Sequence, residues 1–482
     1  MTTAKRLRRR RYTTLEEIRC ITPSAYPIDS TNYPGCAARP WALSCNCFAV
    51  MGFPQPAHFC HTPARKFLKL PLESGAMAMR IFFSVGEPSG DLHGANLIRA
   101  LHRRDASIEC IGLGGPRMAE AGCRLHADLT KFAVMWFFRV LVHLPQFWRL
   151  AMQARKYFRE HRPDAVVLID YPGFNWWIAR YAKKQGIPVV YYGVPQIWAW
   201  ARWRVKKMRR LVDLALCKLP FEAEWYQSRG CNARFVGHPY FDELSQHSIE
   251  PEFRRRMSDG RPLVTILPGS RTQEVENNLT DFLKVAELIH EKHPQVKFAI
   301  ASLNDAQAQM ARDMASQFDL PLQIYVGRTT ELIALSHSCL ACSGSVSLEL
   351  VYFGRPAVIL YRVQAWFYVL VRFFVVRVRY MTLANLLCAK DRFEIHKARY
   401  DPDSEPLQNV PLPEYPTWRD RSVDMANHVN RWLAGGSDYA QRCQRLQQLR
   451  DELAGSGASE KAVGHILSFL ASDSDESLPA AA

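Results

Sequence analysis

The feature that most constrains this chain is a repeated unit in which a short apolar run ends in a polar loop and a helix-compatible segment follows. Runs of this kind are RIFFSV (80–85), AVVLI (165–169), VVYY (189–192), LVTIL (263–267) and AVILY (357–361). Short apolar runs bounded by loops are typical of strands buried on both faces of a sheet. The pattern therefore predicts an α/β protein with doubly wound parallel sheets.

The units form two sets separated by the polar stretch 246–261, which we interpret as an interdomain linker. The predicted domains are 79–248 and 255–440, followed by helices and a tail at 441–482. Residues 1–78 begin with a basic run and show no sustained periodicity. We interpret them as a disordered leader or as an upstream misassignment of a start near Met77 or Met79; a basic tether to a membrane is the alternative. The basic run lacks an apolar segment after it, which argues against a secretory signal.

The composition narrows the class of ligand. The net charge of +16 favours phosphorylated ligands or an anionic membrane. RNA-binding and zinc-finger patterns are missing, so we expect no nucleic-acid partner. The cysteines lack paired spacing and are typical of reduced thiols in the cytosol.

Two apolar segments, Phe132–Met152 and Trp366–Leu387, are interrupted by Arg or His residues, so we expect them to lie on a membrane surface rather than to span it. For the first segment, a core helix pair broken at Pro145 is an equal alternative.

Acidic side chains follow two of the predicted strands. The loop after Val85 contains Glu87, Ser89 and Asp91, although Asp91 could be only a helix cap. Asp170 follows the strand AVVLI and should point into the ligand crevice of an open sheet. We therefore predict Asp170 as the best candidate for a general base, with an aspartate that only caps its loop as the alternative.

The second half carries features suited to a diphosphate. Arg271 lies on a Gly-Ser turn after a strand, and the loop 343–345 leads into a helix that contains Glu349. A helix N-terminus presents free N–H groups and a positive dipole end, both of which favour phosphate. Glu349 could accept hydrogen bonds from ribose hydroxyls. A plain loop–helix–strand unit remains the alternative for this stretch.

The loops described above belong to a longer ordered set of motifs: GEPSGDLHGANLIRAL (86–101), IDYPGFN (169–175), PQIWAW (195–200), LPFE (219–222), VGHP (236–239), LPGSR (267–271), SGSVSLE (343–349) and TLANLL (382–387). Taken together, these motifs closely resemble the bacterial lipid-A-disaccharide synthase family over about residues 79–390. Three departures are the leader, Ser345 where the family often has Thr, and an apparent insertion at 391–410 whose role the sequence does not reveal.

The resemblance implies a GT-B architecture with two Rossmann-like domains facing a cleft, and C-terminal helices that can cross back to the N-terminal domain. The first domain would take the acceptor and the second the UDP-sugar. The implied reaction condenses UDP-2,3-diacylglucosamine with 2,3-diacylglucosamine 1-phosphate to a β-1',6-linked disaccharide 1-phosphate and UDP, with inversion. It would occur in the cytoplasm at the inner-membrane surface, and a homodimer is compatible with the sequence.

The resemblance also assigns roles to residues. Asp170 would be the base, with Glu87, Ser89 and Asp91 lining the cleft. Contacts to the donor would come from Arg271, Ser343, Gly344, Ser345, Glu349 and Asn385. Further cleft candidates are Gly90, Asn175, Gln196 and His238. The resemblance implies an enzyme that needs no metal and no cofactor, and consistently no suitably placed D-x-D pair is present. Two alternatives are a UDP-N-acetylglucosamine epimerase and an inactive membrane-surface module.

Overall fold

The computed structural model describes residues 78–132, 137–342, 344–366, 378–390, 392–393, 402, 406–453 and 457–476. These residues form two sheets, each with every strand parallel to its neighbours. Parallel strands need crossover connections, and helices supply most of them.

The first sheet has the strand order β3-β2-β1-β4-β5-β6-β7. Its strands are β1 (Arg80–Val85), β2 (Glu109–Gly114), β3 (Arg124–Asp128), β4 (Ala165–Ile169), β5 (Val189–Tyr192), β6 (Leu214–Cys217) and β7 (Ala233–Phe235). The α-helices in this half are α1 (Pro88–Arg104), α2 (Pro116–Glu120), α3 (Phe137–His161), α4 (Pro172–Lys183), α5 (Ile197–Trp200), α6 (Val205–Leu211), α7 (Pro220–Gln227) and α8 (Pro239–Gln246). Short 3-10 turns lie at Thr130–Phe132 and Arg202–Arg204.

The second sheet has the order β10-β9-β8-β11-β12-β13. Its strands are β8 (Leu263–Leu267), β9 (Lys297–Ser302), β10 (Leu322–Val326), β11 (Ser338–Cys342), β12 (Ala357–Arg362) and β13 (Glu414–Thr417). The helices are α9 (Pro251–Met257), α10 (Thr272–Lys292), α11 (Asp305–Ala315), α12 (Thr329–Leu335), α13 (Val346–Tyr352), α14 (Leu383–Cys388), α15 (Ser422–Leu433), α16 (Ser437–Leu453) and α17 (Ala458–Glu476).

Each sheet contains a point at which the strand order reverses. In the first sheet β1 lies between β2 and β4, and in the second β8 lies between β9 and β11. The loops after the two central strands of such a sheet diverge and leave a crevice at their carboxyl ends. The sequence motifs after β1, β4, β8 and β11 therefore meet at two crevices.

The last helix returns to the first half of the chain. Ala462, Val463 and Ile466 of α17 are buried in the core that contains β1 and α1. The backbone N–H of Gly457 also donates to the Asp242 carboxylate of α8 at 3.0 Å. These contacts confirm the expectation that the C-terminal helices cross back.

Most predicted strands are present within a residue or two of their expected limits. In the core alternative for Phe132–Met152 the break at Pro145 is absent, since α3 continues through Pro145, whereas Phe147 does lie in the core. The linker at 246–261 is not irregular throughout, because it contains α9.

The domain limits stay predictions. The strands of each sheet lie within the predicted ranges, whereas the leader and most of the apparent insertion lie outside the described residues. In the part of the chain that the structure describes, no helix is long and apolar enough to cross a bilayer.

Candidate functional site

The two acidic loops of the first half lie side by side. Val85, the last residue of β1, is the register partner of Ile169, the last residue of β4. Glu87 and Asp170 follow these positions and therefore leave the sheet at neighbouring strand ends. Their charges interact, since the Asp170 carboxylate contributes to the raised pKa of Glu87. The structure thus brings the predicted base and the predicted cleft acid together.

The backbone at Asp170 is strained. Asp170 and Tyr171 have φ angles of 47° and 43°, in the left-handed region that residues other than glycine rarely adopt. Such conformations cost on the order of 1–3 kcal/mol each and persist only when neighbouring groups hold them. Here the Asp170 carbonyl accepts from Asn175 Nδ2 at 2.8 Å and from the Tyr191 hydroxyl at 2.6 Å. These two bonds hold the turn that presents the Asp170 carboxylate.

The two carboxylate oxygens of Asp170 have different surroundings. Oδ1 accepts a hydrogen bond from Lys218 Nζ at 3.1 Å. Oδ2 is buried and has no hydrogen-bond partner within the described part of the chain. Burial raises the pKa of Asp170, and the Lys218 ammonium opposes that rise. One oxygen is therefore fixed by a cation while the other can take a proton.

Glycine at position 90 lets the first turn of α1 pack closely against Val85, beside this oxygen. A Cβ built on Gly90 would lie 2.9 Å from Val85 Cγ1 and 3.5 Å from Asp170 Oδ2. A larger residue would push the first turn of α1 away from the carboxylate. Ser89, beside it in the same turn, has a buried hydroxyl with no partner among the described residues.

The pKa of Glu87 is set by opposing effects. Burial and the Asp170 charge raise the pKa of Glu87 to about 7, while Lys218 and Arg271 lower it. Arg271 follows β8 of the second sheet, so its charge acts on Glu87 from the other half of the chain. A carboxyl with a pKa near neutrality can exchange a proton at physiological pH.

Asp91 has a different environment from Glu87. Its carboxylate accepts from the backbone N–H groups of Gly115 at 2.9 Å, Arg117 at 3.0 Å and Met118 at 3.1 Å. These groups lie at the start of α2, so Asp91 ties α1 to that helix end rather than capping its own helix. Its contacts are those of a residue that positions the cleft loop.

The remaining candidates of the first half are Asn175, Gln196 and His238. Asn175 is fully buried and holds the turn at Asp170, and Gly90 lies against the same turn. Gln196 is half-buried at the start of α5 and makes no capping bond. His238 Nδ1 accepts from the Tyr240 N–H at 3.3 Å, and burial keeps the pKa of His238 well below its usual value.

Arg271 is the last residue of the loop 268–271, which connects β8 to α10. It is the N-cap of α10, and its Nη1 contacts Glu274 Oε1 at 2.9 Å. The other Glu274 oxygen accepts from the Ser270 and Arg271 N–H groups at 3.0 and 3.2 Å. Gly269 has a φ of 141°, and a Cβ there would lie 2.4 Å from Glu274 Cβ. The loop is therefore shaped so that Glu274 fastens it and Arg271 stays about half exposed.

The loop before α13 is only partly described, because Ser343 lies outside the described residues. Gly344 has open space where a side chain would project, and Ser345 is the N-cap of α13. Glu349 is fully buried, and its Oε2 accepts from the Thr330 hydroxyl at 3.0 Å. Glu349 thus links α13 to the first turn of α12.

Asn385 is occupied by the protein itself. Its Nδ2 donates to the Leu412 carbonyl at 2.8 Å and to Glu414 Oε2 at 3.1 Å, and its Oδ1 accepts from the Leu412 N–H at 3.2 Å. Glu414 also accepts from the N–H groups of Met381 and Thr382, at 2.7 and 3.0 Å. Burial raises the pKa of Glu414 to about 7. These bonds fasten α14 to β13.

Sequence reasoning missed Lys218 and Glu414. A lysine at the buried end of a strand, directly before a Leu-Pro helix start, is unusual, and this is the signal that could have identified Lys218. Among the described residues, no group of three His, Cys, Asp or Glu side chains is arranged to hold a metal ion.

Comparisons with known proteins agree with the motifs. Residues 81–407 match the family model described as lipid-A-disaccharide synthetase. A lipid-A-disaccharide synthase from Trichlorobacter lovleyi is 32% identical over 393 residues, covering 81% of this chain and 97% of the relative.

Solved structures show the same architecture. A putative UDP-N-acetylglucosamine 2-epimerase from Listeria monocytogenes superposes with a TM-score of 0.54 at 12% identity, covering 84% of this chain and 98% of that one. The kitacinnamycin glycotransferase gives 0.52 at 14% identity, covering 82% and 100%. At these identities the likeness concerns the fold alone, and it confirms the predicted GT-B class.

Proposed function

The chain belongs to the lipid-A-disaccharide synthetase family, and we propose that it condenses UDP-2,3-diacylglucosamine with 2,3-diacylglucosamine 1-phosphate. The products are the β-1',6-linked disaccharide 1-phosphate and UDP. The observation that carries this proposal is the pair of acids at the switch point of the first sheet, opposite the Arg271 loop of the second. An inverting transfer needs one base and one site for the leaving diphosphate, and the two crevices can provide them.

In this proposal Asp170 is the base. Asp170 Oδ2, which has no hydrogen-bond partner among the described residues, takes the proton of the acceptor 6-hydroxyl. The oxygen of that hydroxyl forms a bond to the anomeric carbon of the donor. The bond from the anomeric carbon to the diphosphate breaks, and the electron pair leaves with UDP. Attack from the face opposite the leaving group inverts the configuration. A positioned general base contributes about 10²- to 10⁴-fold to such a step.

The second half stabilises the leaving diphosphate in the same proposal. The Arg271 guanidinium and the N-terminal end of α10 supply positive charge where UDP develops negative charge. Ser343, Gly344 and Ser345 lie before α13 and would add N–H donors. Glu349 would accept from the ribose, and Asn385 would act by positioning α14.

Glu87 and Ser89 would line the acceptor side. A Glu87 carboxyl that titrates near pH 7 can be a hydrogen-bond donor or acceptor to the sugar. The buried Ser89 hydroxyl, which has no partner among the described residues, is available to a substrate hydroxyl. Asp91 would hold their loop in place through α2.

The epimerase alternative rests on fold similarity alone and is not favoured, since the family match covers residues 81–407. The inactive-module alternative is opposed by the presence of Asp170, Glu87 and Arg271 with the contacts described above.

We also propose that the protein works at the cytoplasmic face of the inner membrane. Trp148 is 56% exposed on α3, and with Trp177, Arg180 and Tyr181 it lines a groove of about 230 Å³. Tryptophan beside arginine is typical of surfaces that meet a bilayer. Sedimentation with anionic vesicles tests this: Trp148→Ser should reduce binding, and a wild-type protein that stays in the supernatant would contradict it.

The function is tested by mass analysis of products from the purified protein with both proposed substrates. We expect UDP and the disaccharide 1-phosphate in equal amounts. An isomerised UDP-sugar formed without consumption of the acceptor would instead support the epimerase alternative, and no turnover of either substrate would support the inactive module.

A further inference from the structure

Lys218 reaches Asp170 across an intervening strand. Lys218 directly follows β6 and Asp170 directly follows β4, with β5 between them in the sheet. Gly193, after β5, leaves the space in which the two side chains meet. A Cβ there would lie 3.1 Å from Lys218 Nζ and 3.3 Å from Asp170 Oδ1, and the φ of Gly193 is 70°. Both backbone and space at this position therefore favour glycine.

The ion pair is shielded from water. The side chains of Lys218 and Asp170 are 5% and 12% exposed, respectively. Removing two charges from water costs several kcal/mol per ion, so a buried ion pair is weak support for stability as such. A pair of this kind, placed at the crevice of the sheet, calls for a role beyond stabilising the fold.

We propose that Lys218 is a positioning residue that holds Asp170 in its ionised form and, by occupying Oδ1, directs Oδ2 toward the acceptor hydroxyl. This inference rests on the proposed function, in which Asp170 is the base. Lys218 touches neither the reacting carbon nor the leaving group in this account. It acts through Asp170.

Lys218 interacts with titratable groups on five segments of the first half. They are Asp170 after β4, Glu87 after β1, His93 in α1, Glu222 in α7 and His238 before α8. Both histidines have pKa values well below the usual range, so they are neutral at pH 7. Lys218 lowers the pKa of each of the three carboxyls, all of which burial raises. Loss of its charge would thus favour the protonated form of Asp170.

The test is the pH profile of kcat/KM for Lys218→Met in the full chain. An opposite charge within about 4–6 Å shifts a carboxyl by about 1–3 pH units. We expect the acid limb to move up by about that amount, so that activity at a pH on the wild-type acid limb falls about tenfold or more and recovers as the pH rises. Lys218→Arg, which retains the charge, should keep most of the wild-type profile.

A matched control is Lys183→Met. Lys183 pairs with Asp213 at 2.7 Å, and its side chain is 34% exposed. Asp213 precedes β6, so this pair lies at the end of the sheet opposite the crevice. Its variant should keep the wild-type pH profile. Glu87→Gln shows which carboxyl causes the acid limb of the pH profile. That variant keeps the acid limb only if Asp170 is the group that titrates. If Lys218→Met fails to fold, Lys218→Gln provides the same neutral test.

Three results separate the possibilities. An equal loss at every pH in both Lys218→Met and Lys218→Arg would overturn the inference, because it would show a purely structural role. A profile of Lys218→Met that matches wild type would also overturn it, while an inactive Asp170→Asn would leave the proposed function standing. An active Asp170→Asn would refute the proposed base itself.

Discussion

Replacement of Asn175 by alanine tests how the protein holds the strained turn at Asp170. The Asn175 amide lies in the core with no exposed surface. Its Nδ2 donates to the carbonyl of Asp170 at 2.8 Å and to those of Ser84 and Ile169 at 3.3 Å, while its Oδ1 accepts from the Ser84 hydroxyl at 2.7 Å. One side chain thus ties β1, β4 and the start of α4 together.

The size of the effect follows from these bonds. Two of them are short, and each is worth about 1 kcal/mol net, with a further penalty for buried groups left unpaired. The Tyr191 hydroxyl still bonds to the Asp170 carbonyl and limits the loss. We expect Asn175→Ala to lower the free energy of unfolding by about 2–4 kcal/mol.

Activity should fall further than stability alone would require. With one of its two tethers gone, the backbone at Asp170 can relax from a φ of 47° toward an ordinary conformation. A shift of about 1 Å in a catalytic group can cost about 100-fold in rate. We therefore expect kcat to fall about 100-fold at a temperature where the variant is fully folded.

Urea unfolding followed by tryptophan fluorescence, together with steady-state kinetics, measures both effects. The matched control is Asn232→Ala, because the exposed Asn232 makes one backbone bond, to the Asp213 carbonyl at 3.1 Å in the same half. That variant should lose less than about 1 kcal/mol and keep its rate. Equal stability and equal kcat in the two variants would refute the reasoning about the turn.

Three further predictions concern single residues. A Cβ on Gly86 would lie 2.4 Å from Tyr171 Cδ1, whereas a Cβ on Gly173 would project into open space. Thermal unfolding should therefore show a loss of about 1–3 kcal/mol for Gly86→Ala and none for Gly173→Ala. Arg271→Met should raise KM for the UDP-sugar about 10- to 100-fold and leave KM for the acceptor unchanged, since a charge-assisted hydrogen bond is worth about 1.5–3 kcal/mol; an equal rise in both would contradict the donor role. The pKa of Glu87 is about 7 against an ordinary 4.5, so Glu87 contributes its full stabilisation below about pH 4.5 and loses it as the pH rises through 7. Glu87→Gln should therefore flatten the dependence of the unfolding midpoint on pH in that window, and an unchanged slope would contradict this prediction.

The central strands could be predicted from sequence because burial on both faces leaves a local signature. β1, β4 and β8 consist almost entirely of apolar residues, and the acids or arginine after them were located correctly relative to the strand ends. The edge strands lack that signature. β3 is RLHAD and β13 is EYPT, whose proline is tolerated because edge strands need fewer ladder bonds.

The partners of the buried polar residues could not be predicted, because they depend on strand order. The pairing of Lys218 with Asp170 needs β4, β5 and β6 to be neighbours, and no local pattern encodes this. Asp91 likewise suggested a cap for its own helix, yet its partners begin 24 residues later in the chain. Asn385 matched a donor motif, but its hydrogen bonds go to Leu412 and Glu414.

The most direct measurement is the rate of disaccharide formation by Asp170→Asn with purified substrates, alongside its affinity for UDP by calorimetry. Loss of the base should lower kcat by about 10²- to 10⁴-fold. The affinity for UDP should stay close to wild type, because Arg271 and the loops of the second sheet are unchanged. A variant that forms the disaccharide at the wild-type rate would contradict the assignment of Asp170 as the base.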